Sequence, residues 1–150
     1  MKFNRIFLAL VLLIVVSSIG IACAEEASIG DHKFTIPEGY SILNTTGDSV
    51  VLTQDDNHVI VVMIPEAVKN SDDAKSYLEA KGYTFLGEET YDADGKIVQQ
   101  QNYEKDGFTV MSYIIPAGED QCIVTFTIPA GETAPEGADN PITTILNSIS

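Results

Sequence analysis

Hydrophobic and polar positions alternate in short runs over most of the chain, and the runs are punctuated by Gly, Pro, Asn and Asp. Phe34 and Ile36 alternate with Lys33 and Thr35, the pattern of a half-buried strand, and Pro37-Glu38-Gly39 stops it. Glu25–Asp31 before it reads as a short leader. Tyr40–Leu43 is a short apolar stretch, Asn44–Asp48 a polar turn, and Val50–Leu52 restarts a strand. After the Asp55-Asp56-Asn57 turn, Val59–Ile64 is apolar throughout, so this strand has no face fit for water and belongs inside a sheet. From Tyr83 onward the pattern is a meander. Tyr83–Tyr91, Lys96–Glu104, Phe108–Ile115 and Gln121–Ile128 are strands, separated by Asp94-Gly95, Lys105-Asp106-Gly107 and Pro116–Asp120.

Two segments change period. Ala74, Tyr77, Leu78 and Lys81 fall at i, i+3, i+4 and i+7. Asn70 or Ser71 is placed to cap a helix over Ser71–Lys81, Asp72 and Asp73 sit where its dipole favours anions, and Gly82 ends it. Ile142, Ile145, Leu146 and Ile149 repeat the spacing behind Asn140-Pro141, a cap followed by proline at the first helical position. Pro129–Asp139 has no apolar period and reads as a loop. The fold class expected is α+β: an antiparallel sheet of about six to seven strands with two helices packed on it. Four strands end in Ile-Pro, and Phe34-Thr35-Ile36-Pro37 recurs as Phe126-Thr127-Ile128-Pro129 at an interval that fits no solenoid. The expectation is that proline ends each ladder because it has no N–H to donate.

The opening Phe34-Thr35-Ile36-Pro37-Glu38-Gly39-Tyr40, the hairpin to Ile64, the Ser71–Lys81 helix, the meander and the final helix together resemble the PsbP-like fold. That fold is known from an extrinsic photosystem subunit and from bacterial lipoproteins. The leader and acidic body also resemble small uncharacterised secreted proteins of archaea. The resemblance implies a layered sandwich and a binding or accessory role outside the cytoplasm, and it brings no catalytic residue that can be placed on this chain.

The N-terminus carries an address. Lys2 and Arg5 precede the apolar run Ile6–Val16, and Ala22-Cys23-Ala24 is an Ala-x-Ala cleavage site. Residues 1–24 therefore read as a signal peptide and residues 25–150 as a single domain. The run falls short of the roughly 20 residues a spanning helix needs, so an uncleaved anchor is the alternative, and Cys23 in Gly20-Ile21-Ala22-Cys23 offers a lipidated one. All 22 acids of the 150-residue chain lie in residues 25–150, against six lysines and no arginine, a formal charge of −16. No basic patch exists to neutralise phosphates, which excludes nucleic acid, and a membrane is reached only through an uncleaved or lipidated N-terminus. Only Cys122 remains after cleavage, so no internal disulfide holds the domain.

Candidate chemistry is sparse. His32 and His58 each follow acids (Asp31; Asp55 and Asp56) and would make a His₂/carboxylate metal site only if their strands were neighbours; two exposed strand-start histidines are the expectation. Asp92-Ala93-Asp94-Gly95 has the flavour of a calcium loop but lacks the later ligands, so a hairpin is expected. Cys122 shares a strand face with Val124 and Phe126 and reads as a buried, inert thiol. Glu88-Glu89 would point to opposite faces of a strand. Gln99-Gln100-Gln101-Asn102 reads as an edge or solvent-facing strand, with contact to a partner or glycan as the functional alternative. Asn44-Thr45-Thr46 is a glycosylation sequon, expected in a turn of an exported chain.

No catalytic, cofactor or metal residue is expected. The reading is a secreted, non-enzymatic binding or accessory domain at the cell surface, its partner a protein or glycan of the envelope. A secreted or envelope-bound hydrolase with an unrecognised site and a structural envelope component are the alternatives. A binding module should show a concave or apolar patch without titrating groups converging on it, an enzyme a pocket in which two acids, or His58, titrate abnormally, and a structural component a large exposed edge or apolar face.

Overall fold

In the computed structural model, residues 24–150 are described; residues 1–23, which hold nearly all of the expected signal peptide 1–24 and include Cys23, lie outside them. Nine strands form two sheets. β1 (Glu26–Ile29) and β2 (His32–Thr35) make a small antiparallel hairpin. β3 (Ser41–Thr45), β4 (Ser49–Asp55), β5 (His58–Met63), β6 (Thr84–Ala93), β7 (Lys96–Lys105), β8 (Phe108–Ala117) and β9 (Asp120–Pro129) make a seven-stranded antiparallel sheet in the order β3-β4-β5-β9-β8-β7-β6. Helix α1 (Ser71–Ala80) lies between β5 and β6 in the chain, and α2 (Pro141–Ser148) follows β9 through a single 3₁₀ turn at Gly137–Asp139. The architecture is α+β, as the periodicity predicts. Among the described residues no helix is long and apolar enough to cross a membrane.

The two faces of the large sheet bury different amounts. One packs against α2 and the β1–β2 hairpin through Phe34, Ile36, Leu52, Ile60, Tyr113, Val124, Phe126, Ile142, Ile145 and Leu146. The other packs against α1 through Val68, Ala74, Leu78, Tyr103, Val110, Ile114 and Ile123. At eight residues α2 is too short to persist alone. Its three fully buried aliphatic side chains, each worth about 1.5–3 kcal/mol on burial, hold it in place. Asn140 caps it by accepting from Ile142 N at 3.0 Å, and Ser148 Oγ accepts from Thr35 N at 2.8 Å, tying the helix to the hairpin. In α1 the cap is Asn70, whose Oδ1 accepts from Asp73 N at 2.9 Å.

Several expectations are corrected. The leader Glu25–Asp31 is strand β1: Ala27 and Ile29 alternate into the core, an apolar face only two residues long and easily overlooked. Asn44 and Thr45 belong to exposed edge strand β3, and the turn begins at Thr46, so the sequon asparagine stands on a strand rather than in a turn. Proline does not end β8: Pro116 pairs with Gln121, and the strand runs on to Ala117. The ladder to β7 stops at Ile114, so beyond it β8 is paired on one side only and a missing N–H costs no bond. Gln99–Asn102 lies on neither an edge nor an outward face. Strand β7 is flanked by β6 and β8, and Gln100 and Gln101 are buried.

Candidate functional site

The Phe-Thr-Ile-Pro recurrence has a structural meaning that strand termination does not capture. Phe34 and Ile36 of one copy, and Phe126 and Ile128 of the other, are buried in the same core. Each copy then makes the same β-turn. Tyr40 N donates to Pro37 O at 3.1 Å, and Glu132 N donates to Pro129 O at 3.2 Å. The third residue is glycine in both, with φ +84° at Gly39 and +91° at Gly131, values that type II turns require and L side chains rarely adopt. The two turns deliver Tyr40 and Glu132 to the lining of one cleft.

The cleft measures about 640 Å³, and Gln54, His58, Asp139 and Thr144 complete its principal polar lining. Its volume is that of a small-ligand site. Glu38, Glu132 and Asp139 supply its carboxylates, and no lysine lines it. His58, which lines it, is engaged on both ring nitrogens. Nδ1 lies 2.8 and 2.9 Å from the two oxygens of Asp55, and Nε2 lies 2.8 Å from Glu132 Oε2. The hydrogen bond to Asp55, reinforced by the one to Glu132, raises the His58 pKa above its ordinary value. The bond from His58 likewise holds Asp55 below the usual carboxylate range, helped by N–H groups of Asn57 and His58. Burial, with the Asp55 charge adding to it, pushes the Tyr40 hydroxyl up to about 12. The site therefore holds an imidazole that keeps its proton more tightly than usual between two carboxyl groups, beside a phenol that stays protonated at neutral pH.

The other candidate residues are dispersed. His32 is on the small sheet, with Nδ1 2.9 Å from Ser150 O and Nε2 3.4 Å from Asp120 Oδ2, so the two histidines do not share a site. Asp31 and Asp56 stand in exposed turns. Asp92 Oδ1 accepts from Gly95 N at 2.6 Å and closes the β6–β7 hairpin, with Asp94 at φ +57°. Among the described residues no group of three or more His, Cys, Asp or Glu has metal-holding geometry. Cys122 is fully buried, and burial pushes its thiol up to about 12, which leaves it a packing group. Glu88 and Glu89 do face opposite ways, and each is the acceptor for the amides across the ladder. Glu88 takes Gln99 and Gln101, and Glu89 takes Gln100 and Asn102 at 3.0 Å each. Gln101 also donates to Ser71 O and accepts from Tyr103 OH at 2.7 Å. Amides saturated in this way have little left to offer a partner.

Sequence reasoning singles out His58 and Asp55 but misses Glu132, Tyr40 and Gln54. The available signal was the repeat itself, which extends to Phe-Thr-Ile-Pro-x-Gly and so predicts two matching turns.

No family model matches the chain, and no curated protein matches it. Among solved structures it is similar to that of cyanobacterial PsbP (CyanoP) from Synechocystis sp. PCC 6803, at 15% identity and a TM-score of 0.49, over 74% of this chain and 84% of that one. A likeness this slight carries neither ligand nor partner across.

Proposed function

We propose that this chain is a non-enzymatic binding or accessory domain that works outside the cytoplasm, and that the cleft between the two Pro-x-Gly turns is where it binds. One observation supports the reading above others. Both nitrogens of the imidazole in the cleft face carboxylates, so while it is charged it has no free lone pair for a proton, and it bonds no hydroxyl or thiol that it could activate. A concave site with fixed polar groups but no nucleophile–base pair is a recognition site. The extracytoplasmic address rests on the basic, apolar and Ala-x-Ala segments of residues 1–24. The partner is a protein or glycan of the envelope, met by carboxylates, amides and hydroxyls rather than by cations. Asn44, exposed on β3, is the glycosylation site.

The hydrolase alternative draws on His58, an abnormally titrating group in a pocket. The occupied ring nitrogens weigh against it. The test is capture from envelope extract by the wild-type domain and by Gln54→Arg, which fills the cleft from an exposed strand end. Retention that is lost in the variant supports the reading. Equal retention by both, or turnover of envelope material that disappears in His58→Gln, overturns it.

A further inference from the structure

We propose that His58 is a proton-operated clamp on the cleft: while charged it ties the Pro129–Asp139 loop to the β4–β5 hairpin, and when it loses its proton it releases Glu132 and the cleft wall loosens. The consequence for binding rests on the reading of the cleft given above; the clamp itself does not.

The donor inventory carries the argument. An ionised carboxylate only accepts, and a neutral imidazole has one N–H, so both 2.8 Å contacts exist together only in the imidazolium. Deprotonation leaves one nitrogen lone pair facing a carboxylate oxygen. Which bond survives follows from how the partners are held. Asp55 is three residues away and is fixed by the N–H groups of Asn57 and His58 at 2.8 and 2.9 Å. Glu132 arrives from 74 residues away on an exposed loop. Neutral His58 therefore keeps its proton on Nδ1 toward Asp55 and gives up Glu132.

The surroundings amplify the release. The groups facing this point are Asp55 from the β4–β5 hairpin, Glu38 and Tyr40 from the first Pro-x-Gly turn, and Asp139 from the 3₁₀ turn. The carboxylates repel Glu132, and Tyr40 stays neutral. The loop stem remains tied through Ala130 N to Gly107 O at 3.2 Å, and its far end through Thr143 Oγ1 to Gly137 O at 2.7 Å. Between them Ala134 packs on the core, and Thr133, Pro135 and Glu136 are exposed. Motion is thus confined to the cleft wall.

The pH window follows from sign. The His58 pKa is raised in the folded state, so the clamp is complete below the unfolded value and is lost as pH rises through the folded one.

The chain contains two histidines, so ring-proton NMR titration resolves both, with His32→Gln assigning them. Exchange of the residue-132 amide, which donates to Pro129 O at 3.2 Å, is followed across the same range in wild type and Glu132→Gln, normalised to intrinsic rates. We expect the wild-type amide to be protected near about pH 6 and to lose about fivefold or more of its protection as His58 titrates. In Glu132→Gln that amide lacks the protection near about pH 6, and the His58 midpoint falls. Protection that is unchanged by pH, or equal in the two proteins, overturns the clamp. Partner capture that survives Glu132→Gln while the clamp is lost overturns only its coupling to binding and leaves the cleft reading standing.

Discussion

The two faces of the large sheet are built from the same strands yet depend on different physics. Under α2 and the β1–β2 hairpin, 22 buried residues form one continuous apolar layer. Under α1 the buried cluster has eight. The remainder of that face is covered by polar and amphipathic groups. Gln101 is shared among Ser71, Glu88 and Tyr103, while Lys75 stacks over Phe85 at 4.0 Å and Lys105 over Tyr83 at 4.5 Å. Stability on the first face comes from area removed from water, and on the second from satisfying what is buried. The cleft lies on the first face, so its walls rest on the more extensively buried half of the molecule.

Matched substitutions test this contrast. The largest effect is expected from Leu146→Ala under α2 against Leu78→Ala under α1, both fully buried. Each falls within the roughly 2–5 kcal/mol of leucine truncation, with Leu146 toward the top and Leu78 toward the bottom, because a thinner layer collapses more readily around the gap. Chemical denaturation checks it, and equal losses would erase the distinction between the faces. Next come the two caps. Asn140→Ala should lose about 2 kcal/mol, since this buried amide also bonds the Tyr113 hydroxyl, while Asn70→Ala, exposed, should lose about 1. The smallest change is Ser112→Ala. Ser112 Oγ is buried without a hydrogen-bond partner among the described residues, so its removal should leave the unfolding midpoint unchanged or raise it. A clear loss there would reveal a partner on the α1 face.

Much of this architecture is visible in the residue pattern, and the rest has identifiable reasons for hiding. Phe34 and Ile36 alternate as a half-buried strand must, Cys122, Val124, Phe126 and Ile128 share one core face, and both helices announce themselves by cap and period. Pattern reading fails where side chains satisfy one another across a ladder. Gln99–Asn102 looks solvated because Glu88 and Glu89, which neutralise its cost of burial, sit on a different strand, and only the register Glu88↔Gln101, Glu89↔Gln100 unites them. The same holds at the cleft. His58 and Asp55 are three residues apart and can be paired by eye, whereas Glu132 enters from a loop with no period of its own.

The β5–β9 ladder has a further consequence. It joins Val59–Met63 to Ile123–Thr127 and is the single seam between the β3–β5 hairpins and the β6–β9 meander, both of which pair only with chain neighbours. Each half can zip up locally in microseconds, but the seam must first close a loop of some sixty residues. Refolding should accordingly be limited by that closure, and amides along β5 and β9 should acquire protection after those of the hairpin turns, in one late and concerted step.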